Sequence, residues 1–456
     1  MNRKASQIAK QTLLALLLCI LALPSPASAS WKEKVLYSFQ GGNDGAFPGG
    51  GVVFDQQGNL YGVTEAGGPP TCDPIGSYCG TVYQLTPPVK RGDPWTKTQL
   101  YMFKGKRYND GEVPSGLIID KTGNLYGVTA YGGTGGCVLI GVPAGCGTVY
   151  ELSPPLTKGG KWIYTVLYNF KSGKDGYLPG GNLVLDSAGN LYGATEFGGG
   201  KGTTCDPDYQ YCGTVFALSP PKTKGGKWTE RVLHSFAGGT DGANPNGGLV
   251  LSSKGAVYGT TSGGGNESGE CGSGGCGTVF ALKPPTEKGG AWTERMLFRF
   301  NGQDGATPAA GVVFGRNGNL YGTTSAGASS GNGVVFDLAA PTKGGRWKET
   351  VLHRFIDGND GTSPRGGLIF DASGNLYGTA LGGATHRGVV FWLKPPRSGN
   401  SWPLTVLYNL AGSPDGDHPT AGLIFDGNGS LYSTTEWGGT AQICQGGCGV
   451  VYEVSP

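Results

Sequence analysis

The stretch Asp186-Ser187-Ala188-Gly189-Asn190-Leu191-Tyr192-Gly193, followed one loop later by Gly213-Thr214-Val215-Phe216, decides the fold. Its Asp-x-x-Gly-Asn phrase is turn chemistry: Gly takes positive φ at little cost and Asp accepts hydrogen bonds from turn amides, so a tight hairpin is expected. The Asn-Leu-Tyr-Gly phrase that follows is one of seven. The tyrosine of Asn-Leu-Tyr-Gly, or of a close variant, recurs at Tyr61, Tyr126, Tyr192, Tyr258, Tyr321, Tyr377 and Tyr432. Tryptophan recurs in step at Trp31, Trp95, Trp162, Trp228, Trp292, Trp347 and Trp402. Eight residues after each comes Phe39, Phe103, Phe170, Phe236, Phe300, Phe355 or, once, Leu410. An even offset predicts that each Trp and its Phe share one face of an extended strand.

Each unit holds four short runs of β-branched and aromatic residues separated by turn residues, as in Glu230–Phe236, Gly248–Leu251, Val257–Thr261 and Gly277–Leu282. No stretch sustains helical periodicity. Four antiparallel strands per unit and seven units predict an all-β, seven-bladed β-propeller, one domain over residues 30–456. Phase decides the closure. The chain supplies a Trp-to-Phe run at Trp31–Phe39 before the first complete unit, and its last unit, Gly422–Val454, lacks one. Trp31–Phe39 is therefore expected to be the outermost strand of the last blade, which removes the open edges.

The 456 residues include 88 Gly and 29 Pro, just over a quarter, close to low complexity. Aromatic residues at 10% nevertheless supply enough apolar surface for a core, and Gly follows no collagen period. Arg3, Lys4 and Lys10 precede an apolar run from Leu13 to Leu23 and the small residues Ala27-Ser28-Ala29. This reads as a secretory leader, residues 1–29, cleaved after Ala29; the apolar run is too short for a membrane span. The remaining chain balances 32 cations against 32 anions with no basic run, which argues against nucleic acid or an anionic membrane as partner. We expect a secreted monomer, extracellular or periplasmic, with no membrane span and no tail after Pro456.

Cys19 lies inside the leader. The other ten cysteines form five close pairs, Cys72/Cys79, Cys137/Cys146, Cys205/Cys212, Cys271/Cys276 and Cys444/Cys448. An even count in an exported chain reads as disulfides, and local partners meet most cheaply, although sequence alone does not prove the pairing. Zinc is disfavoured because no pair has a His in its own loop. No metal and no cofactor is expected.

The tandem phrases, Gly189-Asn190-Leu191-Tyr192-Gly193 and then Gly213-Thr214-Val215-Phe216, resemble the bacterial "choice-of-anchor tandem repeat GloVer-containing" proteins over essentially all of residues 31–456. The resemblance implies a repeat architecture but transfers no activity and no catalytic residue. That family is named for varied carboxy-terminal anchors, and the absence of one here fits a soluble product.

Asp-Gly-x-x-Pro begins at Asp44, Asp110, Asp175, Asp241, Asp304, Asp360 and Asp415. Seven carboxylates could suggest calcium sites, but one ligand per motif does not make a cage of six to eight oxygens, so these are read as turns. The seven Trp and seven Tyr are read as inter-blade packing. Function is sought where the units differ. All five cysteine pairs fall in loops between second and third strands, on blades 7, 1, 2, 3 and 4, whereas Ser325–Gly333 and Ala380–Gly388 on blades 5 and 6 are short and lack cysteine. A walled mouth with one low side is expected.

At the foot of those loops stand Glu65, Glu196 and Glu436, with the aromatics Tyr131, Phe197 and Trp437 one position on. Rings stack on the apolar faces of sugars while carboxylates accept from hydroxyls, so a carbohydrate site is one reading. Two of these Glu could equally act as acid and base on a glycosidic or lactone bond. The structural reading is that Glu caps turn amides and the rings cover loop bases. His386 and Arg387 on blade 6 and His418 on blade 7 could approach the same mouth, whereas His234 and His353 occupy outer-strand positions usually held by Tyr or Phe. The leading expectation is a binding module for an extracellular carbohydrate or macromolecule. A hydrolase or lyase on the same face and a surface interaction scaffold are the alternatives.

Overall fold

Turn chemistry builds each hairpin as its sequence requires. Asp186 Oδ1 accepts from the backbone of Ala188 and Asn190 at 2.8 and 2.9 Å, and its Oδ2 accepts from Asn190 Nδ2 and Tyr192 Oη at 2.8 and 3.0 Å. One carboxylate thereby closes the turn and fixes the tyrosine ring for packing. Tyr192 then meets Trp292 of the following blade edge to face, with ring centroids 6.1 Å apart.

The computed structural model describes residues 31–69, 79–90, 92–139, 141–157, 159–200, 212–223, 225–266, 270–287, 289–342, 344–396 and 402–456. The leader expected over residues 1–29 lies outside them, as do Cys72 and Cys205. Among the described residues, seven four-stranded antiparallel sheets form the blades of a β-propeller. In blade 3 the strands run Tyr177–Leu185, Leu191–Phe197, Thr214–Ser219 and Thr229–Ser235, innermost to outermost. The second strands of blades 1, 2, 4, 5, 6 and 7 are Leu60–Thr64, Leu125–Gly132, Val257–Thr261, Leu320–Thr324, Leu376–Ala380 and Leu431–Thr435.

The ring closes as the phase of the repeats predicts. Lys32–Ser38 pairs antiparallel with Val450–Ser455, Lys32 opposite Ser455 and Ser38 opposite Val450, as the outer strand of blade 7. Apolar side chains gather between blades rather than within them, in seven clusters, one at each junction.

One expectation fails. Trp31 and Phe39 do not share a face: Trp31 packs with Tyr377, Leu423 and Val454 between blades 6 and 7, and Phe39 with Tyr83, Val52 and Cys448 between blades 7 and 1. The pairing register shifts between Val35 and Tyr37, so a β-bulge adds one residue and turns the rest of the strand over. The same bulge recurs in the other outer strands, for instance opposite Val149/Tyr150 and Val215/Phe216. Each outer strand therefore contributes an aromatic to both of its neighbours.

The Asp-Gly-x-x-Pro turns join the blades at one end. Their fourth residue lies in the left-handed region in all seven, Phe47, Val113, Leu178, Asn244, Thr307, Ser363 and His418, with φ between 44° and 59°. Each of these residues donates its backbone N–H to the loop of the preceding blade, at 2.8 to 3.2 Å. The acceptors are the carbonyls of Cys448, Cys79, Cys146, Cys212, Cys276, Asn332 and Arg387, so in five junctions the acceptor is the second cysteine of a loop. This circle of hydrogen bonds offsets the backbone strain and puts the irregular loops on a single rim.

Candidate functional site

At that rim a cavity of about 1370 Å³ opens between blades 7 and 1, reached also by Arg387 of blade 6. Glu65, Glu436, Trp437, Arg387 and Asp417 line it, together with Phe47 and the loop residues Ile443–Gly446. The second strands of blades 1 and 7 end at Thr64 and Thr435, and the next residue turns inward. Its backbone is held by the left-handed residue of the same blade: Glu65 N–H donates to Phe47 O at 3.0 Å and Glu436 N–H to His418 O at 3.1 Å. The repeat thus projects both carboxyl groups into one space.

Glu65 is enclosed. Burial, reinforced by the charge of Glu436, pushes its carboxyl up to about 7, so near neutral pH it is a donor as well as an acceptor. Gly49 makes the enclosure possible: a Cβ there would lie 2.2 Å from Glu65 Oε1.

On the other side stands a polar chain from blades 6 and 7. Arg387 Nη1 donates to Asp417 Oδ2 at 2.7 Å, and His418 Nδ1 lies 2.6 Å from Asp417 Oδ1. The Asp417 side chain is 2% exposed, so one buried carboxylate is matched by a guanidinium and an imidazole. The His418 ring lies against Trp437 with centroids 4.1 Å apart. Asp417 so fixes the imidazole, and the imidazole supports the indole, giving a rigid aromatic surface beside two carboxyl groups.

The structure therefore gathers Glu65, Glu436, Trp437, Arg387 and His418, but not all the candidates. Phe197 stacks on Tyr177 of its own blade, centroids 5.5 Å apart, and Tyr131 pairs with Glu112 in the sheet of blade 2. Glu196 is pushed up by burial at the foot of blade 3. Glu196, Tyr131, Phe197 and His386 are not among the residues lining the cavity. His234 and His353 replace the outer-strand tyrosine as partners of the turn aspartate, reaching Asp241 and Asp360 at 3.3 and 2.9 Å. Asp417 was not singled out from sequence. Its one signal is an acid inside the Asp415-Gly416-Asp417-His418-Pro419 turn, directly before a histidine.

Disulfides join Cys137 to Cys146, Cys271 to Cys276 and Cys444 to Cys448, and Cys79 and Cys212 are also disulfide-bonded. The Cys444–Cys448 staple borders the cavity directly. Such bridges point to oxidising surroundings, extracellular or periplasmic. Among the described residues no helix is long and apolar enough to cross a membrane, and no group of three or more His, Cys, Asp or Glu could hold a metal ion.

The model of the Gloeobacter/Verrucomicrobia repeat matches residues 25–271, 136–344 and 267–456, which together span nearly the whole chain. The chain belongs to the Gloeobacter/Verrucomicrobia repeat family. No match to this repeat protein was found among curated proteins. Solved structures similar to this family member include a protein of unknown function from Dyadobacter fermentans, at 15% identity over 82% of this chain and 98% of that one, TM-score 0.42. A gluconolactonase from Xanthomonas campestris matches at 14% identity over 82% and 90%, TM-score 0.39. A carbohydrate-active enzyme of family AA12 from Trichoderma reesei matches at 14% identity over 94% and 96%, TM-score 0.40. Similarity this distant assigns no activity to the Gloeobacter/Verrucomicrobia repeat propeller.

Proposed function

We propose that this propeller is an exported binding module that holds a carbohydrate in the cavity between blades 7 and 1. One observation carries the reading: the Trp437 ring, braced by His418 and Asp417, stands in the same cavity as the carboxyl groups of Glu65 and Glu436. Aromatic faces cover the C–H surfaces of a sugar ring, and carboxyl groups exchange hydrogen bonds with its hydroxyls. Removal of the leader after Ala29 would deliver the protein to a compartment where its disulfides persist. A glycan array tests the proposal with the wild type, Trp437→Ala and Glu65→Gln. Retained glycans that both variants release support it; binding unchanged in both variants removes the cavity from consideration.

A second reading is favoured by the protonation of Glu65. A carboxyl raised to about 7 beside a second carboxyl is the arrangement of a general acid with a nucleophile or base, as glycoside hydrolysis requires. Release of reducing ends from a retained glycan, abolished by both Glu65→Gln and Glu436→Gln, would replace the binding module with an enzyme. Retention without turnover keeps the first reading.

A further inference from the structure

A second cavity, of about 400 Å³, lies on the propeller axis, where the innermost strands begin. The residue after Pro in each Asp-Gly-x-x-Pro turn stands at this level. It is Gly49, Ser115, Gly180, Asn246, Ala309, Arg365 and Thr420 in blades 1 to 7. The Asp, Gly and Pro of the same turn are identical in all seven blades, but this position runs from Gly to Arg. Variation at a symmetric position that faces a cavity is the pattern of recognition rather than of packing.

Arg365 is the one cation among the residues lining the axial cavity, and its side chain has no hydrogen bond or ion pair to any described residue. The one anion in the lining is Glu65, which reaches the axis beside Gly49. Among the described residues no ion pair joins Glu65 to Arg365. Two further polar atoms of the lining, Ser115 Oγ and Asn246 Oδ1, are buried from solvent and lack a hydrogen-bond partner. Such groups in a folded core normally have partners. An uncompensated guanidinium with an amide and a hydroxyl, in a space of monosaccharide size, matches a carboxylate that also carries hydroxyl groups.

We propose that the axial cavity binds an acidic sugar, its carboxylate anchored by Arg365 and its hydroxyl groups hydrogen-bonded by Asn246 and Ser115 once these side chains rotate toward the cavity. The site is separate from the Trp437 surface, although Glu65 borders both cavities. The acid is either a free uronate or the terminal residue of a glycan whose neighbours occupy the rim cavity. The second case alone rests on the carbohydrate reading given above.

Isothermal titration with D-glucuronate, D-glucose and a uronate oligosaccharide tests this on the wild type, Arg365→Gln, Asn246→Ala and Trp437→Ala. Arg365 is solvent-exposed and unpartnered among the described residues, so Arg365→Gln leaves the fold intact, which an unchanged melting temperature verifies. The wild type is expected to bind glucuronate in preference to glucose. Arg365→Gln should weaken glucuronate binding by about tenfold or more, the usual loss when a charge-assisted hydrogen bond is removed. Asn246→Ala should weaken it less, and Trp437→Ala not at all. A uronate oligosaccharide that binds more tightly than the monomer, with the gain lost in Trp437→Ala, identifies the chain-end source; equal binding of the two identifies the free acid. Equal affinity for glucuronate and glucose, or glucuronate binding insensitive to Arg365→Gln, would overturn the axial site, whatever happens at Trp437.

Discussion

Glu65 concentrates the chemistry of the rim in one carboxyl group, and its position depends on the residue that makes room for it. Gly49 is not in the left-handed region, so Gly49→Ala adds only a Cβ, 2.2 Å from Glu65 Oε1. The mobile end of the glutamate moves aside, and the backbone does not. We expect Gly49→Ala to reproduce the glycan-binding loss of Glu65→Gln with a melting temperature close to wild type, measured by array binding and calorimetry. Glu65 also sets a pH dependence. Its folded-state carboxyl is raised from 4.5 to about 7, so the stability tied to its protonation is present below about pH 4.5 and lost as pH rises through about 7. Glu65→Gln lacks this loss. Urea titrations at pH 4 and pH 8 should show the stability difference moving in favour of the variant by about 3 kcal/mol across that range. A difference that stays constant with pH would show that folding does not raise the Glu65 carboxyl above its ordinary value.

The outer strands carry the same physics at the scale of an element. The second residue after the repeat Trp faces the Asp-Gly turn that leads into its own blade, and in four blades it is Glu. Glu33 meets Asp415, Glu230 meets Asp175, Glu294 meets Asp241 and Glu349 meets Asp304. One oxygen of each of these Glu is buried without a partner. Burial first and the facing aspartate second push Glu33 up to about 8 and Glu230 to about 7. Burial and Asp304 push Glu349 to about 7 against the opposing charge of Arg354. In blade 1 the position is Lys97, and a salt bridge of 2.8 Å to Asp44 takes the place of the carboxyl pair. Because the folded values lie above 4.5, this stabilisation is complete below about pH 4.5 and falls away as pH rises through 7 to 8. The melting temperature should therefore drop between pH 5 and pH 8.5. The triple variant Glu33→Gln, Glu230→Gln, Glu349→Gln should flatten that slope; a slope equal to wild type would assign the pH response to other groups. None of this was visible in the sequence, because Glu33 and Asp415 lie at opposite ends of the chain and meet only when the ring closes. The bulge between Val35 and Tyr37 was hidden too, since an extra residue in a strand leaves no compositional mark, and the shared face expected for Trp31 and Phe39 failed for that reason. The hairpins were legible because Asp186, Gly189 and Asn190 determine their turn locally.

Over the whole molecule, what could be read from sequence was what the repeat states seven times, and what could not was what appears once. Asp417, Arg365 and Asn246 are single departures in a repeated turn, and only the assembled ring brings them to a rim or an axis. Closure of that ring is the property the other features share: the Cys448 carbonyl receives Phe47 N–H across the seam, and Trp437 and Glu65 meet there from opposite ends of the chain. Two rearranged proteins separate closure from mere truncation. Deleting residues 30–39 leaves Val450–Ser455 as an exposed edge and opens the junction packed by Phe39, so cooperative melting should be lost. Moving the same residues behind Pro456, through a connection copied from the polar loop between Leu152 and Trp162, restores the strand beside Val450–Ser455 in the antiparallel sense. The permuted chain should melt cooperatively within a few degrees of the wild type, because the same surface is buried and only one chain break has moved. Calorimetry of the two proteins decides the matter: if deletion and permutation melt alike, the strand is dispensable, and the seam between blades 7 and 1 is held by its rim loops alone.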